Sequence, residues 1–144
     1  MLIGHYESSL SEKNRVAVPK KFRSELGGRM IVAKWYEQCL VLISEEKWQG
    51  LMDKLTGKSE FVTGPVRDTD RFVLGSAFEL RPDNQGRVVL LQSLVDYANL
   101  RDNVVFLGVG DKVEIWNKAK WEEREKYILE NAGQMIEEIA KGGN

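Results

Sequence analysis

Cysteine and histidine are nearly missing from this chain: Cys39 and His5 are the only ones among 144 residues. A lone cysteine cannot close an internal disulfide or build a multi-cysteine metal site. A lone histidine leaves any multi-histidine catalytic or metal centre dependent on other chains. Long apolar runs are lacking too. Cys39 to Ile43 and Val104 to Leu107 fall far short of the roughly 20 residues of a spanning helix. The start, Met1-Leu2-Ile3-Gly4-His5, does not have the basic-then-apolar order of a signal peptide. No nucleophile–base pair stands at convincing spacing. The expectation is a cytoplasmic, non-enzymatic chain with no cofactor, no metal, no membrane partner and no small-molecule substrate. His5 is expected at a strand edge and Cys39 as a buried apolar side chain.

Excess charge of either sign is also absent, with a formal net charge of −1. Taken alone, that argues against a nucleic-acid partner. The charge is unevenly spread, however. Ser11 to Arg23 carries five cations (Lys13, Arg15, Lys20, Lys21, Arg23) against Glu12. Trp121 to Asn144 reverses this, with six glutamates against three cations. A basic N-terminal segment in a near-neutral protein fits a local anionic partner, although two solvated faces of opposite sign would give the same count.

What the chain does have is a repeat. At an offset of 72, Tyr6-Glu7 falls on Phe78-Glu79, Arg15-Val16 on Arg87-Val88, Val18 on Leu90, Phe22 on Leu94, Leu26 on Ala98 and Arg29 on Arg101. At an offset of 73, Val32 meets Val105, Leu40 meets Val113, Leu42 meets Ile115, and Lys47-Trp48 meets Lys120-Trp121. Collinear matches that also preserve apolar positions indicate a duplicated module. Its copies are assigned to residues 5–50 and 76–123, with a connector helix region at 51–75 and a helical tail at 124–144.

Each copy reads alike. A strand near Tyr6 or Phe78 leads to a polar loop, Ser11 to Asn14 or Asp83 to Gly86. A β-rich run follows from Arg15 or Arg87. Pro19 to Leu26 and Gln92 to Ala98 predict short helices. Two strands follow in each copy, Met30 to Ala33 with Cys39 to Ile43, and Val104 to Val109 with Val113 to Trp116. Ser44 and Asn117 resemble helix caps. Pro65 launches a connector helix over Val66 to Leu74. Ile128, Ala132, Met135, Ile136 and Ile139 form one stripe of a last helix ending before Gly142-Gly143. Trp48 and Trp121 are expected as core anchors, and Gly108-Val109-Gly110 is too short for a dinucleotide loop.

The loops carry the chemistry. Asn14 and Gly86 are residue types that tolerate a left-handed turn, and each is followed by an arginine at a strand mouth. A stiff turn fixes the root of a guanidinium whose planar fork matches guanine or phosphate. A single such arginine would more simply pair with a carboxylate such as Asp83. Two in equivalent positions favour recognition.

These residues resemble the MraZ family. Glu12-Lys13-Asn14-Arg15, Pro19 and Phe22-Arg23 resemble its first module. Asp83-Asn84-Gln85-Gly86-Arg87, Gly108-Val109-Gly110 and Glu114-Ile115-Trp116 resemble its second. The resemblance runs from about Ile3 to Tyr127. It implies an α+β fold of two pseudo-symmetric AbrB-like (SpoVT-AbrB) modules, a swapped-hairpin type of β-barrel with short helices. It further implies a nucleoid-associated bacterial transcriptional repressor, forming a homo-oligomeric ring on double-stranded DNA. Its operators would be direct repeats near the promoter of the division and cell-wall gene cluster. Arg15 and Arg87 inherit the DNA-reading role, and Asp83, with Gly86, the support of the loop. Ser11 stands where the pattern has Asp, Asn14 where it has Gly, and Leu91 where the second copy often has Pro. Lys13, Asn14, Lys20, Lys21 and Arg23 complete the expected DNA face. A second class, an antitoxin-like interaction module acting through the acidic tail from Trp121 to Ala140, remains as the alternative.

Overall fold

Period-2 apolar patterns govern the architecture, and the middle strands are apolar on both faces. The computed structural model describes residues 1–57 and 61–142. Residues 58–60 of the expected connector and residues 143–144 of the expected tail lie outside them. The first half runs β1 (His5–Ser9), β2 (Arg15–Ala17), α1 (Lys20–Leu26), β3 (Met30–Lys34), β4 (Leu40–Ser44) and α2 (Glu45–Met52). A further helix, α3 (Gly64–Val73), leads to the second half. That half runs β5 (Phe78–Leu80), β6 (Arg87–Val89), α4 (Gln92–Tyr97), β7 (Asn103–Gly108), β8 (Val113–Asn117) and α5 (Lys118–Gly142).

Six strands form one antiparallel sheet in the order β1-β7-β8-β4-β3-β5, and β2 pairs with β6 in a separate two-stranded ribbon. Pairing crosses between the halves at every equivalent place. Tyr6 lies opposite Phe106 and Phe78 opposite Val32, while Leu40 faces Ile115 and Leu42 faces Val113 around a central Val41–Glu114 pair. This cross-pairing joins residues far apart in the sequence. It also corrects one match: the register equates Val32 with Phe106, an offset of 74, and not with Val105. The approach to β7 is two residues longer than that to β3, and the β7–β8 turn one residue shorter than the β3–β4 turn. A one-residue slip exchanges the two faces of a strand.

Both faces of the sheet are therefore used. Met30, Val32, Leu40, Leu42, Val104, Phe106, Val113 and Ile115 face a core closed by Val16, Val18, Val88 and Leu90 of the ribbon segments and by Phe22 and Leu94 of α1 and α4. Ile31, Ala33, Val41, Ile43, Val105 and Trp116 face a second core with Leu51, Met52, Val73 and Trp121. Each fully buried Val, Leu, Ile, Phe or Met among them contributes about 1.5–3 kcal/mol by leaving water. The expected barrel does not close, and helices cover the second face. The edge strands β1 and β5 stand at opposite ends of the sheet, and it remains open. The fold is α+β, with five α-helices and antiparallel sheets among the described residues.

Local expectations fare well. His5 starts an edge strand, Cys39 is fully buried, and Trp48 and Trp121 pack in the second core. Ser44 Oγ accepts from Lys47 N and Asn117 Oδ1 from Lys120 N, as helix caps do. Pro19 stands just before α1, and its carbonyl accepts from Phe22 N and Arg23 N. The connector helix begins at Gly64, before Pro65, and passes at Leu74 into a 3-10 turn. The last helix includes Gly142, one residue beyond the expected end. Among the described residues, no helix is long and apolar enough to cross a membrane.

Candidate functional site

The two polar loops fold identically at the backbone level. In the first, Ser11 N donates to Arg15 O at 2.9 Å and Asn14 N to Ser11 O at 3.0 Å. In the second, Asp83 N donates to Arg87 O and Gly86 N to Asp83 O, both at 2.9 Å. Such turns require one left-handed residue, and Asn14 (φ 58°) and Gly86 (φ 77°) supply it. Each turn then docks on the opposite half. Leu90 N donates to Asn14 O at 2.8 Å, and Val18 N to Gly86 O at 2.9 Å.

The turns frame the β2–β6 ribbon, in which Arg15 lies opposite Val89, Val16 opposite Val88, and Ala17 opposite Arg87. Alternation buries Val16 and Val88 and turns Arg15, Ala17, Arg87 and Val89 outward. The two arginines are thus diagonal neighbours on one face, with roots about 7–8 Å apart. They line a common open groove of about 730 Å³ together with Lys13, Ser11, Ala17, Glu12 and Asp102.

The arginines are held differently. Asp83 Oδ1 accepts from Arg87 N at 2.9 Å and from Gln85 N at 2.8 Å, while its Oδ2 accepts from Arg87 Nε at 3.0 Å. The Arg87 N–H, followed by the Gln85 N–H and the Arg87 guanidinium, holds the Asp83 carboxyl below its ordinary range. Ser11 Oγ takes over only the backbone part, accepting from Arg15 N at 3.1 Å. Arg15 has no ion-pair partner among the described residues. The Asp–Arg brace expected of Asp83 is present, and the brace that Ser11 cannot make is absent from the first loop.

The remaining residues of the expected face divide. Lys13 shares the groove, and Lys20 and Lys21 stand exposed at the start of α1. Asn14 Nδ2 donates to Gln92 Oε1 at 3.0 Å, so its side chain is engaged across the ribbon. Arg23 lies on Gly86: a Cβ at that position would overlap the Arg23 Nη1 and Cζ. Sequence reasoning missed Gln92 and the outward Val89, which is 52% exposed. Their signals were available, since Gln92 is the repeat partner of Lys20 and Val89 alternates with buried Val88.

Away from this face, Glu114 is half-buried at the centre of the sheet and accepts from Trp116 Nε1 at 2.9 Å. Burial pushes its carboxyl up. Burial also raises the Cys39 thiol far above the ordinary thiol range. No cluster of metal-binding side chains occurs among the described residues.

A family model described as "MraZ protein, putative antitoxin-like" matches twice, over residues 1–72 and 73–140. A protein named transcriptional regulator MraZ from Syntrophomonas wolfei is 39% identical over 141 residues, covering 98% of this chain and 95% of the relative. One of the same name from Oenococcus oeni is 37% identical over 139 residues, with 96% of each covered. Another, from Acetivibrio thermocellus, is 40% identical over 122 residues and 85% of each chain.

Proposed function

Because the chain belongs to the MraZ family, we propose that it is a transcriptional regulator that reads double-stranded DNA with the outward face of the β2–β6 ribbon. The observation that carries this reading is the placement of Arg15 and Arg87 side by side over one groove. A two-stranded ribbon fits the major groove of B-DNA, about 12 Å wide, and arginine forks match guanine O6 and N7. Val89 and Ala17, between the arginines, suit thymine methyl groups. Lys13, Lys20 and Lys21 supply phosphate contacts, which orient the protein without reading sequence.

Magnitudes decide how many copies are needed. Two arginine–guanine pairs give about 2–6 kcal/mol of discrimination, whereas specific sites exceed non-specific ones by about 4–10 kcal/mol. One chain falls short at the upper end, and several linked copies on repeated boxes make up the difference. From the resemblance to the family, the reading takes these copies to be a homo-oligomeric ring acting as a nucleoid-bound repressor in the cytoplasm, at direct repeats near the division and cell-wall promoter. It also includes two AbrB-like modules, at 5–50 and 76–123, exchanging strands.

The test is selection of bound duplexes from random DNA, with the mass of the protein measured in solution. Enrichment of G-containing repeats, with affinity that falls steeply with salt, is expected. Failure to enrich any sequence overturns the reading. The tail supports a second reading as an interaction module, because Leu129, Ile136 and Ile139 on α5 are exposed at 61–73%. A partner captured equally with and without nuclease would favour it.

A further inference from the structure

We propose that Arg23 is a positioning residue for Arg87: its guanidinium, sent across from helix α1 of the first half, lies on the Gly86 turn of the second and fixes the direction in which Arg87 leaves the ribbon. The inference rests on the DNA-reading role of the ribbon and adds to it a residue that works from behind the face.

Geometry carries it. A Cβ at Gly86 would overlap Arg23 Nη1 and Cζ and stand 2.6 Å from Nε. A side chain there would have to displace the Arg23 guanidinium, and the φ of 77° independently favours glycine. Arg23 Nε is buried without a hydrogen-bond partner, and Arg23 has no ion-pair partner among the described residues. A cation that gives up both partners is held by packing on the turn. Its Nε is enclosed, whereas Lys20 and Lys21 are exposed.

The equivalent turn shows the contrast. At the repeat offset of 72, Gly86 corresponds to Asn14 and Arg23 to Val95. Asn14 carries the Cβ that Gly86 must lack, Val95 is buried in the core, and Asn14 secures itself through Gln92. One turn is held by its own side chain and the other by a visiting arginine. Asp83 fixes one side of the Arg87 root, through Arg87 N and Nε, and Arg23 covers Gly86, the residue before it.

The experiment compares full-length Arg23→Lys, Arg23→Val, Gly86→Asn and the Arg23→Val/Gly86→Asn double variant, which recreates the Asn14–Val95 arrangement. Each is titrated, over a range of salt, with a duplex selected by the unaltered protein and with a scrambled duplex. Each single variant is expected to lose about tenfold in specific affinity, the scale of one impaired arginine contact. The scrambled duplex and the salt slope should be unchanged, and the double variant should lose no more than either single one. Retained affinity in Arg23→Lys overturns the proposal. So does a salt slope reduced by about one unit, the signature of a lost phosphate contact, and so do additive losses.

A DNA-independent readout separates this from failure of the DNA reading. Arg23→Lys should speed exchange of the Arg87 Nε–H with water in the free protein, even if no duplex is ever bound. An unchanged exchange rate overturns the positioning role.

Discussion

The backbone N–H of Leu90 donates to the carbonyl of Asn14 at 2.8 Å, which anchors the turn carrying Arg15 on the strand carrying Arg87. The reciprocal bond, from Val18 N to Gly86 O, locks the second turn to the first strand. The two arginines therefore share one rigid support, and disturbing either loop reaches the other.

Arg15→Ala and Arg87→Ala should each cost about 1–3 kcal/mol of specific DNA binding, measured by fluorescence anisotropy on a selected duplex. Melting temperatures should barely move, because both side chains face outward. Full affinity in the double variant would remove the ribbon from the reading.

Asp83 should titrate below the other exposed carboxylates, because ionised Asp83 accepts from Arg87 and Gln85. With the folded pKa depressed, the brace is present above the ordinary carboxylate range and is lost as pH falls through the lowered value. Carboxyl NMR titration checks this. Arg87→Ala should move the Asp83 midpoint upward, and an unmoved midpoint refutes the brace.

Glu114 behaves in the opposite sense, because burial raises its pKa. Its contribution to stability is complete below the ordinary carboxylate range and is lost as pH rises through the raised value. Glu114→Gln keeps an acceptor for the Trp116 indole, so the variant should gain stability over the parent as pH rises. Denaturant midpoints at acid and neutral pH measure this, and a pH-independent difference contradicts it.

Phe22→Ala should cost about 3–5 kcal/mol, the usual cost of emptying a buried aromatic site, because Phe22 is 1% exposed and packs edge-on to Tyr6 at 5.2 Å. Both halves line that core. Unfolding should therefore remain a single transition in calorimetry, shifted as a whole.

Much of this was legible in the chain, and what was not has physical causes. The turns at Asn14 and Gly86 and the Asp83 brace follow from local chemistry, and the strand pairs of each half from short apolar runs bounded by turns. That β1 pairs with β7, and β5 with β3, depends on contacts about a hundred and about fifty residues apart, which no window of sequence contains. The one-residue error at Val105 has the same root, since Val104, Val105 and Phe106 are all apolar and give no alternation to fix a face. Arg23 looked like one more cation in a basic run. Only the position of Gly86 on the other half reveals where its guanidinium ends.

Strand exchange between the halves has a further consequence. Two identical half-chains exchanging strands in this way would be obliged to present the same loop twice, and a symmetric reader favours a palindrome. Joining the copies in one polypeptide lifts that obligation. Ser11 and Asp83, Asn14 and Gly86, Val95 and Arg23 could then drift apart while the frame stayed two-fold. If the ribbon reads DNA as proposed, the molecule has a left hand and a right hand there, and it can sense which way a site points.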